Sequence, residues 1–128
     1  MLIPRRSTGA AVALALGLSL GPAAALAQDN GALVQTGRTQ YDNLQFEEAI
    51  QTLSAAIIRR GNTPAQEAQI YECLGLSYLA LSRDDEAEGA LRLMLAREPE
   101  RRLDTGTAPR IVEFFHRARD RWVAEGRP

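Results

Sequence analysis

Apolar residues recur every three or four positions along nearly all of the chain after residue 28, which is the period of an amphipathic helix. No segment sustains the alternation of apolar and polar residues that indicates a half-buried strand. The connections inside the predicted helix pairs have only two to four residues, so neighbouring helices must run antiparallel. The sequence therefore predicts an all-α fold of paired helices, with segments at about 30–44, 46–60, 63–81, 84–98 and 109–123.

Several of these predicted helices have recognisable boundary residues. Thr63-Pro64-Ala65-Gln66 combines an N-cap threonine, a proline in the first turn and a glutamine three residues after the cap, which is the pattern of a capping box. Gly61-Asn62 is expected to close the second helix. Asp84 or Asp85 is expected to cap the fourth helix and Thr107 the fifth, because their side-chain oxygens accept hydrogen bonds from free N–H groups.

The first and second helix pairs match each other at an offset of 38 residues. The matching positions are Gly37 with Gly75, Ala49 with Ala87, and Leu53 with Leu91. A small residue on each helix of a pair lets the two backbones approach closely, and large residues then fill the volume around that contact. A glycine inside a helix costs about 1 kcal/mol relative to alanine, so its presence in both pairs indicates that close packing offsets the cost.

The second of these units, about 64–99, resembles the tetratricopeptide-repeat family at nearly every signature position: Tyr71, Leu74, Gly75, Tyr78, Ala87, Leu91, Met94 and Pro99. The first unit, about 30–61, is similar at fewer positions, with Gln40 where an aromatic residue is usual and Gly61 where proline is usual. The resemblance implies an α-solenoid, in which antiparallel helix pairs stack side by side. The last helix, about 109–123, would then be a capping helix that covers the apolar end of the array.

In the family that this chain resembles, the first helix of each pair lines a concave groove that binds another protein. The resemblance implies the following partner-binding groove residues: Val34, Arg38, Tyr41, Asp42, Gln69, Glu72, Leu76 and Leu79. This set mixes apolar and polar side chains and lacks the several basic residues that would capture a terminal carboxylate. An amphipathic helix or an extended peptide is therefore the expected partner.

The expected function is that of an adaptor or scaffold, which mediates protein–protein interaction by holding a peptide or helix in this groove. The alternative is a self-associating structural subunit. Two repeats are fewer than the three usually needed for a stable array, and a second copy could cover the exposed apolar ends in a homodimer. The resemblance describes the scaffold and not the partner, because surface residues set function on repeat folds.

The N-terminal residues have the three parts of a secretory signal peptide. Arg5 and Arg6 form a positive start, an apolar run covers 10–20, and Ala25-Leu26-Ala27 presents the small residues of a cleavage site. The apolar run is shorter than the roughly 20 residues of a spanning helix, which favours cleavage after Ala27 and release from the membrane. Residues 99–110 and the helix after them also resemble the tail of exported repeat proteins of Gram-negative bacteria. The expected location is therefore the periplasm or the exterior.

Charge and candidate chemistry favour a binding protein over an enzyme. Residues 28–128 keep 13 of the 15 basic residues and all 16 acidic ones, a net charge of −3, which argues against nucleic-acid binding. The one cysteine, Cys73, and the one histidine, His116, could form a thiol–imidazole pair, but both lie in helical patterns where structural roles are usual. Asp104-Thr105-Gly106 matches the aspartic-protease tripeptide, but the chain lacks the predicted strands that would hold it, so a turn is expected. We expect no metal, cofactor or catalytic site.

Overall fold

The computed structural model describes the backbone of residues 22–128 and the side chains from Asn30 onward, and this part of the chain forms five helices and no strand. The prediction of an all-α fold is confirmed. The helices are α1 (Pro22–Asp42), α2 (Phe46–Ile57), α3 (Pro64–Ala80), α4 (Asp84–Arg97) and α5 (Pro109–Ala124). Each helix packs against the next along the chain, and α1 also contacts α3.

The first helix begins earlier than predicted, at Pro22 instead of about residue 30. Pro22 suits the first helical position because its missing N–H is not needed there, and the alanine-rich run that follows has high helix propensity. Residues 1–21 of the predicted signal peptide (1–27) lie outside the described residues. Within the described part, no helix is both long enough and apolar enough to cross a bilayer.

The turns inside the two helix pairs are the same structure, 38 residues apart. Leu44 and Ser82 both adopt the left-handed conformation, with φ of 62° and 58°. Two backbone hydrogen bonds close each turn: Gln45 N–H to Gln40 O (2.8 Å) and Leu44 N–H to Tyr41 O (2.9 Å) in the first, Arg83 N–H to Tyr78 O (2.9 Å) and Ser82 N–H to Leu79 O (3.0 Å) in the second. This is the Schellman motif, which satisfies free carbonyl groups at a helix end and reverses the chain.

Both helix pairs cross closely at their glycines, as the sequence predicts. A Cβ atom added to Gly37 would lie 2.5 Å from Cγ of Leu53. A Cβ atom added to Gly75 would lie 2.9 Å from Cγ of Leu91 and 3.4 Å from the carbonyl oxygen of Ala87. Each pair therefore has a leucine of its second helix seated directly on the glycine of its first.

The core consists of two clusters joined by α3. One cluster holds buried residues of α1, α2 and α3, including Val34 and Leu53, together with Ala90 of α4. The other unites α3 and α4 with Phe115 and other aromatic residues of α5. Tyr71 packs against both clusters. The central helix α3 is consequently buried on several sides, which explains why its apolar residues are not confined to one stripe.

The C-terminal helix α5 ends in a third copy of the turn. The N–H of Arg127 donates to the carbonyl of Trp122 (2.8 Å), and that of Gly126 to Val123 (3.1 Å). By this alignment Arg119 takes the place of the two crossing glycines, and its partly buried side chain lies 3.9 Å from Glu100. A long charged side chain at that position is incompatible with a close crossing by a following helix.

The helix boundaries confirm one predicted N-cap and correct two others. The capping box at Thr63 is present, with Gln66 N–H donating to Thr63 Oγ1 (3.1 Å) and Thr63 N–H donating to Gln66 Oε1 (2.8 Å). The N-caps of α4 and α5 are Arg83 and Ala108, without side-chain caps, so the predictions for Asp84 or Asp85 and for Thr107 are wrong. The acidic residues lie inside the first turn of α4, where they favour the positive end of the helix dipole.

The second helix ends at Ile57, three residues before the predicted end at Arg60. Asn62 reaches back to this end, and its Nδ2 donates to the carbonyl oxygens of Ala56 (2.9 Å) and Arg59 (3.2 Å). Gly61 follows the helix with φ of 94°, a conformation that favours glycine. The C-cap of α2 is therefore Ile58 and not the predicted Gly61, and of the Gly61-Asn62 pair only the Asn62 side chain bonds to the helix end.

Candidate functional site

A cavity of about 420 Å³ opens between the C-terminal half of α1, one face of α3 and residues 101–111. This volume lies within the roughly 300–1,000 Å³ range of ligand-binding clefts. Six of the eight predicted groove residues line it: Arg38, Tyr41, Asp42, Gln69, Glu72 and Leu76. The structure thus brings most of the predicted groove together on one surface.

Val34 and Leu79 do not line this cavity. Val34 is 7% exposed and belongs to the cluster shared by α1 and α2, and Leu79 is 6% exposed in the cluster shared by α3 and α4. Both lie at the boundary between the helix face that lines the groove and the face that packs on the second helix of the pair. A small rotation of a helix decides whether such an edge position faces the groove or the core.

One wall of the cavity comes from the connection between α4 and α5, which is not part of the predicted groove. Residues 101–108 of this connection fold back beside α1 and α3, and Arg101, Arg102 and Asp104 line the cavity with Ile111 at the start of α5. The N–H of Thr107 donates to the carbonyl of Asp104 (3.0 Å), which confirms the predicted turn. The wall residues and the α3 residues are about 30 positions apart, so helix periodicity gave no signal of their proximity.

Arg101 fixes this wall to α3. Its Nε lies 2.7 Å from a carboxylate oxygen of Glu72, and its Nη1 lies 2.9 Å from one of Glu98. Burial lowers the pKa of the Arg101 guanidinium, but the hydrogen bonds that it donates to Glu98 and Glu72 outweigh that effect, and the net pKa is raised. The charge of Glu72 is therefore already neutralised within the chain, which leaves it less able to attract a partner.

The remaining charges around the cavity are balanced in sign. Arg38 and Asp42 lie on the α1 side, and Arg102 and Asp104 lie on the opposite wall. All four are exposed, and none of them forms an ion pair among the described residues. A ligand that enters meets two available cations and two available anions around a floor that includes Cys73 and Leu76.

Cys73 lies in this floor and is 8% exposed. Burial raises the pKa of its thiol to about 11, although Arg38 acts in the opposite direction. The group is consequently a neutral thiol at physiological pH, and only the thiolate is a strong nucleophile. His116 lies instead on the outer face of α5, where it lines a shallow depression with Val112, away from the cavity that Cys73 lines.

The described part of the chain contains no arrangement of side chains that fits a metal site or an aspartic-protease site. No group of three or more His, Cys, Asp or Glu side chains is placed to hold a metal ion there. Asp104 stands in an exposed turn between helices, whereas aspartic proteases hold two carboxyl groups side by side.

A network of ion pairs joins α4 to α5. Glu88 of α4 lies 2.6 Å from Arg121 of α5 and 3.0 Å from Arg92, which also pairs with Glu125 beyond the end of α5. Hydrogen bonds from Arg121 lower the pKa of Glu88 despite the opposing effect of burial. This network holds the C-terminal half of α5 against α4.

Comparisons with protein-family models, with curated proteins and with solved structures found no match. The side chains of the cavity are therefore the guide to what it can bind. Their arrangement combines apolar surface, backbone turns and balanced charge on a rigid helical support.

Proposed function

We propose that this protein is an exported adaptor of the tetratricopeptide-repeat type, which binds a peptide or helix of another envelope protein in the cavity between α1, α3 and residues 101–111. It performs no catalytic chemistry. The helix pairs act as a rigid support, and the connection between α4 and α5 supplies a fixed wall opposite α1.

The repeated geometry of the two helix pairs supports the scaffold part of this proposal. The pairs share the same turn and the same glycine crossing at an offset of 38 residues. Stacked repeats present the first helices of successive pairs on one surface. Arg38 of α1 and Leu76 of α3 occupy the same position in their units, and both line the cavity.

The single observation that carries the binding proposal is the cavity itself, with six predicted groove residues around it. Tyr41, Leu76 and Ile111 offer apolar contact, while the exposed charges on both walls offer hydrogen-bonding partners of either sign. An amphipathic peptide has both kinds of surface. Pre-formed helical walls also limit the entropy lost by the protein on binding.

Selection of peptides from a display library against residues 28–128 tests the proposal. Recovered peptides are measured by titration calorimetry against the wild type, against Leu76→Arg and against Ile58→Arg. Leu76 lines the cavity, whereas Ile58 is 82% exposed after α2 and serves as a control with the same chemical change. We expect Leu76→Arg to weaken binding at least tenfold and Ile58→Arg to leave it unchanged. Equal affinity for all three proteins would place the binding site elsewhere.

Cys73 provides an independent readout of occupancy. Because its thiol is buried and its pKa is about 11, it should react slowly with a thiol reagent at neutral pH. A bound peptide would cover the cavity floor and slow the reaction further, by several-fold at saturation. A peptide that binds tightly but leaves the rate at Cys73 unchanged would not be occupying this cavity.

Export is tested separately, by expressing the full chain in a Gram-negative host and determining the N-terminus of the product. Cleavage after Ala27 would leave Gln28 as the first residue. A product that retains residues 1–27 and stays in the cytoplasm would remove the envelope from the proposal while leaving the cavity unaffected.

A further inference from the structure

The outer face of α5 carries a stripe of four exposed, charged side chains. Arg110, Glu113, Arg117 and Asp120 are spaced by three, four and three residues, which places them along one side of the helix. All four are exposed, and none forms an ion pair within the described residues. By contrast Arg121 of the same helix pairs with Glu88 of α4.

The order of charges along this stripe is self-complementary. Read from the N-terminus the signs alternate, starting with Arg110, and read from the C-terminus they alternate with the opposite signs, starting with Asp120. Two copies of α5 packed antiparallel around a two-fold axis near residue 115 would place Arg110 opposite Asp120, and Glu113 opposite Arg117. Each of these pairs would occur twice, as symmetry about a two-fold axis requires.

The spacing of the stripe also fits the packing of two antiparallel helices. Intervals of three and four residues are those of the contact positions in a coiled coil, where the first position of one heptad faces the fourth of the partner. Val112 and His116 form a shallow depression along one edge of the stripe, and Val123 beside it is 42% exposed. These side chains would add apolar contact around the charged centre.

We propose that the outer face of α5 is a self-association surface, on which a second copy of this chain docks antiparallel through four reciprocal ion pairs. One helix packed on one helix buries less than the roughly 1,200 Å² of a standard stable interface. The dimer is therefore weak, with a dissociation constant in the micromolar range or above. It is also salt-sensitive, because exposed ion pairs are screened.

Charge reversal along the stripe gives a test that separates this interface from general aggregation. Arg110→Glu/Arg117→Glu makes the stripe wholly acidic, and Glu113→Arg/Asp120→Arg makes it wholly basic. Sedimentation velocity is measured from 5 to 500 µM in 50 mM and in 500 mM NaCl, for each variant alone and for an equal mixture. Because the four side chains are exposed, both variants should keep the helical circular-dichroism spectrum and the melting temperature of the wild type.

We expect the wild type to dimerise in 50 mM NaCl and to dissociate at least tenfold more readily in 500 mM. Each variant alone should be monomeric, and the mixture should form a heterodimer at least as tight as the wild-type dimer. Glu48→Arg, a charge reversal on exposed surface of α2, should associate like the wild type. A wild type that stays monomeric at 500 µM in low salt, or a dimer that survives in either variant alone, would overturn the proposal.

Discussion

The two helix pairs of this protein have the same turn and the same glycine crossing, yet they differ in what surrounds the crossing. At Gly37 the three atoms nearest to an added Cβ all belong to the side chain of Leu53, whereas at Gly75 the third nearest is the Ala87 carbonyl oxygen, at 3.4 Å. The second pair is further covered by the aromatic residues of α5. The two crossings therefore need not tolerate the same substitutions, although they share a backbone pattern, because a side chain can repack where a backbone atom cannot.

The largest expected effect comes from the leucines that sit on the glycines. Leu53→Ala and Leu91→Ala each remove a side chain that is at most 1% exposed, so each should lower the free energy of unfolding by about 2–5 kcal/mol. Urea denaturation followed by circular dichroism measures both losses. A loss below about 1 kcal/mol at either leucine would show that the crossing can collapse around the missing atoms.

A comparison of the two crossings is obtained by replacing each glycine with alanine after its leucine has been shortened to alanine. Gly37→Ala alone should be destabilising, but in the Leu53→Ala background it should raise stability by about 1 kcal/mol, because the new methyl group has room and alanine favours the helix. The matching change at Gly75 in the Leu91→Ala background should recover less, since the Ala87 carbonyl remains close. An equal gain of stability in both pairs would show that the two crossings accept the added methyl group equally well.

The next largest effect is expected from overfilling the second crossing. Gly75→Leu should lower the free energy of unfolding by about 1–3 kcal/mol or more, because the longer side chain would displace Leu91 or separate α3 from α4. Gly89→Ala is the control, as Gly89 lies on α4 with open space around the position of a Cβ. That change should instead raise stability by about 0.5–1 kcal/mol. Thermal melting of both variants gives the comparison, and a neutral Gly75→Leu would contradict a close crossing.

These contrasts show which features sequence reasoning can reach. The Thr63 capping box and both glycine crossings were predictable because each depends on residues close in sequence or on a repeated pattern. The wall at Arg101 was not, because its pairing with Glu72 joins residues 29 positions apart and leaves no periodic signal. The resemblance implied that Val34 lines the groove, but its side chain is 7% exposed and packs in the core, because a resemblance gives the helix face only approximately and the packing angle decides it.

A smaller effect is expected at the repeated turns. Leu44 and Ser82 hold positive φ, a conformation that costs L-residues about 1 kcal/mol and costs glycine little. Leu44→Gly and Ser82→Gly should each raise the free energy of unfolding by about 0.5–1 kcal/mol, partly offset by the greater freedom of glycine in the unfolded chain. Similar gains would support the equivalence of the two turns. A gain at only one of them, measured by thermal melting, would show that the surrounding contacts differ.

The smallest expected effect concerns Glu88. This residue forms its ion pairs on the side of the second helix pair that faces α5. Hydrogen bonds from Arg121 lower the folded pKa of Glu88 below its ordinary value of 4.5. A lowered acid pKa contributes stability that is present above about pH 4.5 and is lost as the pH falls through the folded pKa. Glu88→Gln should therefore be less stable than the wild type at pH 7 and equal to it near pH 2, as measured by thermal melting across that range. Glu48→Gln, the same substitution on the exposed surface of α2, is the matched control. A Glu88→Gln deficit that persists unchanged at pH 2 would mean that Glu88 supports α5 by packing and not by charge.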